Sequence, residues 1–364
     1  MRSGKIDKIF LWTSVALVTV GITIFISASL GLLSRSGELY SAVVFNHLFF
    51  GLGLGSIAFI VTSHIHYRKW RTYSLHIFAA SLLFTVLVFV PGIGFKHGGA
   101  SRWIDLGFTS MQPSELLKMG YLFYLAAWLS GAKEKVTTVK KGLLPFVIIT
   151  GIVGGIMLMQ PDTATFGVMV FGGLAMYIVA GARWKHLAAL AFGGAAILAI
   201  LIFQRPYLMQ RVQTFLDPAS NATGSGYQIQ QSLIAIGSGQ LTGRGFGQSI
   251  QKFNFLPEPI GDSIFAVASE EFGFVGSLTI ILVICFFALQ TFKIATRAPD
   301  PFGGLLAVGI GILMVSQSFV NIASMLGVIP LSGLPLVFVS HGGTALFCSL
   351  AELGILCNIS KYRT

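Results

Sequence analysis

The sequence predicts an all-α polytopic membrane protein of about ten transmembrane helices, with one large extracytoplasmic loop between helices seven and eight. Three observations predict it. The 364 residues are 54% hydrophobic and 10% charged, whereas a soluble domain carries about 25% charged residues. Apolar runs recur along almost the whole length, each able to cross a hydrocarbon core about 30 Å thick. The alternating short strands of a porin-type barrel are missing. Heptads, low-complexity tails and internal repeats are also missing, so residues 1–364 read as a single membrane domain.

The first span, near 9–30, follows MRSGKIDK with no small-residue cleavage site, and reads as a retained signal anchor. The second, near 43–63, runs into His64, His66, Arg68 and Lys69, a solvated headgroup contact. The third, near 74–92, leads through GIGFKHGGASRWIDLGFTSMQPSE to the fourth, near 112–130. Glu115 and Lys118 lie three residues apart at the start of this fourth helix, on one face. The fifth and sixth spans, near 144–161 and 163–181, are joined so tightly by QPDTAT that Asp162 lies at the membrane boundary, in reach of Lys118. The seventh, near 187–203, precedes a polar loop over about 204–262. The eighth, near 263–290, carries Glu270 and Glu271, one of which is expected to face the bundle and pair with a cation. The ninth lies near 304–326, and the tenth, near 341–359, has His341 at its outer end and Glu352 inside. An unpaired ion at such depth costs several kcal/mol. Glu115, Lys118, Asp162, Glu270, Glu271 and Glu352 are therefore assigned to a structural ion network, with a share in headgroup binding as the other reading. Cys285, Cys348 and Cys357 fall inside apolar spans and read as small buried hydrophobes, without metal-site spacing.

The formal net charge is +11. With the N-terminus in the cytoplasm, sixteen cations fall inside, from Arg2, Lys5 and Lys8 through Arg68, Lys69 and Arg71 to Lys361 and Arg363. Only seven fall outside: Arg35, Lys96, Arg102, Arg205, Arg211, Arg244 and Lys252. This is the positive-inside pattern. The basicity reports orientation and contact with membrane lipids, not nucleic acid, and it puts both termini in the cytoplasm and the large loop outside.

Within that loop, YQIQQSLIAIGSG has helical apolar spacing and reads as an interfacial helix. The glycines of GRGFGQS, with Gly243, read either as a flexible turn or as a backbone nest for phosphate. No βαβ context makes them a dinucleotide site. Asn221-Ala-Thr matches a glycosylation pattern by chance. The loop ends in LPEPIGDSIFAVASEE, where Pro257 and Pro259 stiffen the backbone before Asp262 and Glu258 adds a second carboxylate. Two readings of Asp262 stand: an N-cap for the eighth helix, or a carboxylate that deprotonates a hydroxyl while a phosphate-type group leaves. Arg102, Arg205, Arg211, Arg244 and Lys252 lie on the same side of the membrane. Alone, His341 reads as an interfacial polar residue.

GASRWIDLGFTSMQPSELLK, QPDTAT, GRGFGQSIQKFNFLPEPIGDSIFAVASEEFG and NIASMLGVIPLSGLPLVFVSHGGTAL together resemble, in order, the SEDS family of bacterial shape, elongation, division and sporulation proteins that includes FtsW, RodA and SpoVE. GQSIQKFNFLPE is closer to division-type FtsW than to elongation-type RodA. The resemblance implies a ten-helix glycosyltransferase of the bacterial cytoplasmic membrane that polymerises lipid II into peptidoglycan at the outer face, during septal wall synthesis. It implies a class B penicillin-binding protein and other divisome proteins as partners. The family's catalytic aspartate, in its LPE-x-x-x-D pattern, falls on Asp262. It would act as general base on the acceptor 4-hydroxyl while undecaprenyl diphosphate leaves. Arg102, Arg205, Arg211, Arg244 and Lys252 are the candidates to meet that leaving charge, with room for a divalent cation, Mg or Mn, though no residues are assigned to a metal. Glu258 and His341 complete the substrate-binding candidates. The chain reads GDSIF and SHGG where relatives read TDFIF and SYGG, so contacts beside the aspartate are expected to differ. A lipid II flippase, an elongation-type polymerase and a non-catalytic divisome scaffold are the competing readings.

Overall fold

The computed structural model describes residues 4–97, 100–105, 107, 110–221 and 224–362. Arg2, Gly99, Leu106, Phe108, Thr109, Ala222, Thr223 and Arg363, all in segments singled out above, lie outside the described residues. Each of the ten expected spans is a helix. The first is α1 (Lys8–Ser29), opened by Asp7, whose carboxylate accepts from the amides of Ile9 and Phe10. The second joins α2 (Gly37–Phe45) to α3 (Gly55–His64) through π-helical turns over Asn46–Leu54. Then follow α4 (Arg68–Val86), α5 (Pro113–Ala132), α6 (Leu144–Met159), α7 (Thr163–Val179) and α8 (Trp184–Gln204). The last three spans are α11 (Ile264–Thr296), α12 (Pro301–Met325) and α13 (Gly343–Ser360). Eight of these spans are long and apolar enough to cross a membrane unaided. The other two are α7, which is short at 17 residues, and α5, which carries Glu115 and Lys118 in its first two turns.

α12 and α13 form the centre, buried along most of their lengths. α5, α7 and α11 surround α12, while α3 lies along α13. That last contact is close because Gly354 leaves room for Thr62, whose hydroxyl donates to Ala351 O at 2.9 Å. Small residues at such a seam let two helices approach in a medium that gives little hydrophobic drive. α8 is marginal: only His186 is buried. Gly4 N–H donates to Lys361 O at 2.8 Å, so both ends of the described chain lie on one side, as an even number of spans requires.

The structure departs from the expected architecture in three places. The connection between the third and fourth spans is an antiparallel sheet of β1 (Gly94–His97), β2 (Ala100–Asp105) and β3 (Ser110–Met111), in that spatial order, so the chain is not purely helical. The loop over 204–262 carries α9 (Pro206–Leu216) and α10 (Ser225–Ser238). The expected interfacial helix is α10, yet it buries Ile229, Ser232 and Ala235 against the bundle and leaves Leu233 and Ile234 exposed. Third, α11 is broken at Gly273, where φ is +67° and ψ −164°.

The break determines where the loop goes. It strips hydrogen bonds from carbonyls and amides that lie inside an apolar bundle, where unsatisfied groups are costly. The loop supplies the missing partners: Arg244 N–H donates to Glu270 O at 3.0 Å and Gly245 N–H to Glu271 O at 2.9 Å. In return, Phe274 N–H donates to Gln240 O at 2.8 Å and Val275 N–H to Leu241 O at 3.1 Å. The glycine run 243–247 is thus a backbone splice, with φ of +82°, +105° and +79° at its glycines. The amides of Gly243, Arg244, Gly245 and Gly247 are committed to Gly239 O, Glu270 O, Glu271 O and Ser27 Oγ, which removes the phosphate-nest reading.

A β-carbon at position 243 would collide with the Glu271 carbonyl, whereas one at 245 would meet only Gln248 Cγ at 3.7 Å. Both substitutions carry the strain of a positive φ, about 1–3 kcal/mol. Gly243→Ala is therefore expected to lower the thermal unfolding midpoint of detergent-solubilised protein more than Gly245→Ala. Equal midpoints for the two would rule out a close backbone seam at Gly243.

Candidate active site

Asp262 lies one residue before the cap of α11. Its carboxylate does not cap that helix: Ser263 is the N-cap and makes no side-chain capping bond, its hydroxyl accepting instead from Gln228 Nε2 at 3.0 Å. What holds Asp262 is its backbone and that of its neighbours. Ile260 O accepts from His341 N–H at 2.7 Å, Gly261 O from Ser340 Oγ at 2.7 Å, and Asp262 O from Asn321 Nδ2 at 2.8 Å. Before them, Glu258 turns the chain at φ +47°, its carbonyl accepting from the amides of Gly261 and Ser263. Asn321 Nδ2 also donates to Leu334 O at 2.7 Å. One helical turn earlier, Gln317 Nε2 donates to Pro335 O at 3.0 Å and its Oε1 accepts from Lys118 Nζ at 2.9 Å. The segment 331–342 and the end of the large loop are therefore fastened to each other and to α12. Neither Asn321 nor Gln317 was among the residues the sequence singled out. Their signal was two amides four residues apart on one face of an apolar span.

Two arginines face the half-buried Asp262 carboxylate. Arg211, on α9, donates to Ser332 O at 3.3 Å and lies 5.9 Å from the Tyr207 ring centroid. Arg102, on β2, donates to the carbonyls of Gln160 at 3.0 Å and Pro161, which fixes the sheet to the QPDTAT turn. Burial, then the Glu258 charge, raises the Asp262 pKa to about 6, against the pull of Arg211 and Arg102. Burial also lowers the Arg211 pKa, with Arg102 adding to it and Tyr207, Asp262 and Asp162 opposing it. The arrangement is a carboxylate poised to accept a proton near neutral pH, with two fixed cations beside it and an exposed Glu258 at the rim.

The other candidates are placed differently. Lys252 is no surface cation: it is 1% exposed, and its ammonium donates to Ser27 O, Ser27 Oγ, Gly247 O and, at 2.7 Å, Glu271 Oε1. Arg244 pairs with Glu270 at 3.2 Å. Both cations therefore belong to the ion network beneath the splice, because the break in α11 draws their loop into the bundle. Glu270 and Glu271 are both buried and both paired, where only one was expected to be. Glu270 further accepts from Ser249 Oγ at 2.6 Å and the amides of Ile250 and Gln251, and Glu271 from Ser27 Oγ at 2.5 Å. Arg205 is exposed at the junction of α8 and α9.

Lys118 pairs with Glu115 at 2.8 Å, with Glu352 as a more distant opposite charge. It does not pair with Asp162, which instead caps α7 by accepting from Thr165 N–H at 3.4 Å and faces Arg211. His341 contributes its amide to the clasp, but its ring packs by Phe25 and His47 and its Nε2 is buried without a hydrogen bond. Burial lowers its pKa to about 4, so at neutral pH the ring is uncharged. The three cysteines are free, Cys348 and Cys357 buried as expected. Among the described residues no group of three or more His, Cys, Asp or Glu side chains is arranged to hold a metal ion. Asp262 and Glu258, opposed by two guanidinium groups, are a poor donor set for a divalent cation.

Comparison with known proteins adds four findings. A family model described as cell cycle protein, FtsW/RodA/SpoVE, matches residues 8–364. The chain is 36% identical over 363 residues to stage V sporulation protein E of Bacillus subtilis (strain 168), covering 98% of this chain and 97% of that protein. It is 34% identical over 359 residues to a probable peptidoglycan glycosyltransferase FtsW of Trichlorobacter lovleyi, covering 99% and 94%. Its fold matches a chain of a solved peptidoglycan synthase complex, described as coordinating polymerization and crosslinking, with a TM-score of 0.80 and 27% identity over 98% of each chain.

Lys252→Met would leave Glu271 as an unpaired buried charge, a loss of about 3–5 kcal/mol, while replacing both partners by apolar side chains restores most of it. Thermal unfolding of Lys252→Met and of the double variant Lys252→Met/Glu271→Leu tests this. A single variant as stable as the parent chain would return Lys252 to the set of free surface cations.

Proposed function

The chain belongs to the FtsW/RodA/SpoVE family of cell cycle proteins, and from that premise we propose that it is a peptidoglycan glycosyltransferase that polymerises lipid II, with Asp262 as its general base. The observation that carries the reading is the geometry: a backbone-clasped carboxylate beside Arg211 and Arg102, whose pKa burial raises. A carboxylate at its ordinary pKa of about 4 is a weak base for an alcohol; one near 6 is better matched to the task. Asp262 takes the proton of the acceptor 4-hydroxyl as that oxygen attacks the anomeric carbon of the donor's muramyl sugar. The bond from this carbon to the diphosphate breaks, and its electron pair leaves with undecaprenyl diphosphate. Arg211 and Arg102 face the charge that develops, in a setting where fixed cations act more strongly than in water.

The reaction is placed at the outer face of the bacterial cytoplasmic membrane, with both termini in the cytoplasm, on the strength of the sixteen-to-seven distribution of cations. The FtsW-named relatives favour a septal role over elongation. A class B penicillin-binding protein and other divisome proteins are the proposed partners, in keeping with a fold match drawn from a synthase complex. Against a flippase, Lys118, Lys252 and Arg244 are held in ion pairs with Glu115, Glu271 and Glu270.

Purified protein with lipid II, with and without the partner, is expected to form glycan polymer, and Asp262→Asn to lose about 10²–10⁴-fold in rate. Full activity in that variant would sink the base assignment. Because Asp262 must be ionised, the rate should be half-maximal near pH 6 and fall about tenfold per unit below it. Glu258→Gln, which removes a charge that raises this pKa, should move the acid limb to lower pH. A raised carboxylate pKa also means that the ionised form burdens the folded state, from about pH 4 upward and fully above pH 6. Asp262→Asn should therefore unfold at a higher temperature than the parent at pH 8, with the difference vanishing below pH 4.

A further inference from the structure

Gly333, in the PLSGLP segment, has φ +72°. The point a β-carbon would occupy there is 3.7 Å from Arg211 Nη2 and 3.7 Å from Asp262 Oδ2, at ordinary contact distance from both. The base and the cation thus border one small space whose floor is a residue without a side chain. They do not close across it as an ion pair, since Arg211 is turned toward Ser332 O. The floor cannot retreat: Leu334 O and Pro335 O are held from α12 by Asn321 and Gln317.

The chemistry of the two walls selects what fits between them. An ionised carboxylate only accepts hydrogen bonds and a guanidinium only donates. A phosphate oxygen would satisfy Arg211 but be repelled by Asp262, and an ammonium would do the reverse. A hydroxyl does both, donating to Asp262 and accepting from Arg211 at lengths of about 2.7–3.0 Å. We infer that the slot over Gly333 seats the attacking hydroxyl of the acceptor sugar, between Asp262 and Arg211. This rests on Asp262 being the base. It gives Arg211 a second task, stabilising the oxygen as its proton departs, and it makes the absence of a side chain at position 333 a requirement of acceptor binding.

The test compares Gly333→Ala with Gly327→Ala. Gly327 also has a positive φ, +66°, but a β-carbon there would meet only Ile229 Cγ2 at 3.7 Å and Leu233 Cδ1 at 3.9 Å. Both variants carry the backbone strain; only Gly333→Ala fills the slot. Polymerisation of lipid II is expected to fall about 100-fold in Gly333→Ala and to stay within about threefold of the parent in Gly327→Ala, with similar unfolding midpoints. A Gly333→Ala protein within threefold of the parent rate, or equal losses in the two variants, overturns the slot. A second measurement leaves Gly333 in place. An acceptor glycolipid lacking its 4-hydroxyl should bind about tenfold more weakly than the intact one to the parent chain, and only about threefold more weakly to Arg211→Gln, where the bond to Asp262 remains. The same penalty in both backgrounds overturns the inference even if Gly333→Ala does not fold. Asp262→Asn is run alongside: if it polymerises at the parent rate, the base assignment itself fails. If Asp262→Asn is inactive and Gly333→Ala is not, only the slot falls.

Discussion

A helix that breaks inside an apolar bundle has to find new partners for its backbone, and the break of α11 at Gly273 is the constraint from which the outer half of this protein follows. Two carbonyls and two amides are left over, and water is not at hand to take them. The loop over 240–245 takes them instead. Once that stretch lies against α11, Lys252 and Arg244 arrive beside Glu271 and Glu270, and each buried charge finds its opposite. The ion pairs are thus a consequence of backbone satisfaction. Their contribution is to make any other course for the loop costly, because breaking either pair leaves a charge buried alone.

At the far end of the same loop, Asp262 is fixed by a second use of hydrogen bonding. Three successive carbonyls, at Ile260, Gly261 and Asp262, accept from the segment after α12 and from Asn321. None of these bonds touches the carboxylate, which is left to the electrostatics of Glu258, Arg211 and Arg102. Position and proton affinity are therefore set by separate groups. A side chain can be aimed by its backbone and tuned by its neighbours without either task compromising the other.

Much of this was legible in the sequence, and what was not has a physical reason. The ten spans could be read because each apolar run answers to one length, the thickness of the bilayer. Asp262 could be read because a carboxylate at that boundary is expensive and its neighbours carry a family motif. The sequence puts Lys252 among the cations on the outer face, and its burial is not legible there because it depends on a glycine twenty-one positions away breaking a helix, which local polarity does not report. The glycines of 243–247 were ambiguous for the same reason: a splice and an anion nest need the same dihedral angles and differ only in what lies opposite. Asp162 was assigned to Lys118 by proximity along the membrane normal, yet Gln317 and Glu115 occupy that ammonium. Asn321 and Gln317 could have been found, since two amides one turn apart in an apolar span have to bond to something.

The two sides of the site are not built alike. Asp262 rests on a clasped backbone, whereas Arg211 rides on α9, an eleven-residue helix that buries only Leu208 and Thr214 and follows directly from the loosely held α8. For an enzyme that adds one sugar unit after another to the same strand, this asymmetry bears on processivity. Under the proposed mechanism the clasped side sets where each new bond forms, so every linkage has the same geometry. Arg211, with few buried contacts behind its helix, is under the same mechanism the side of the site that can give way as a product advances.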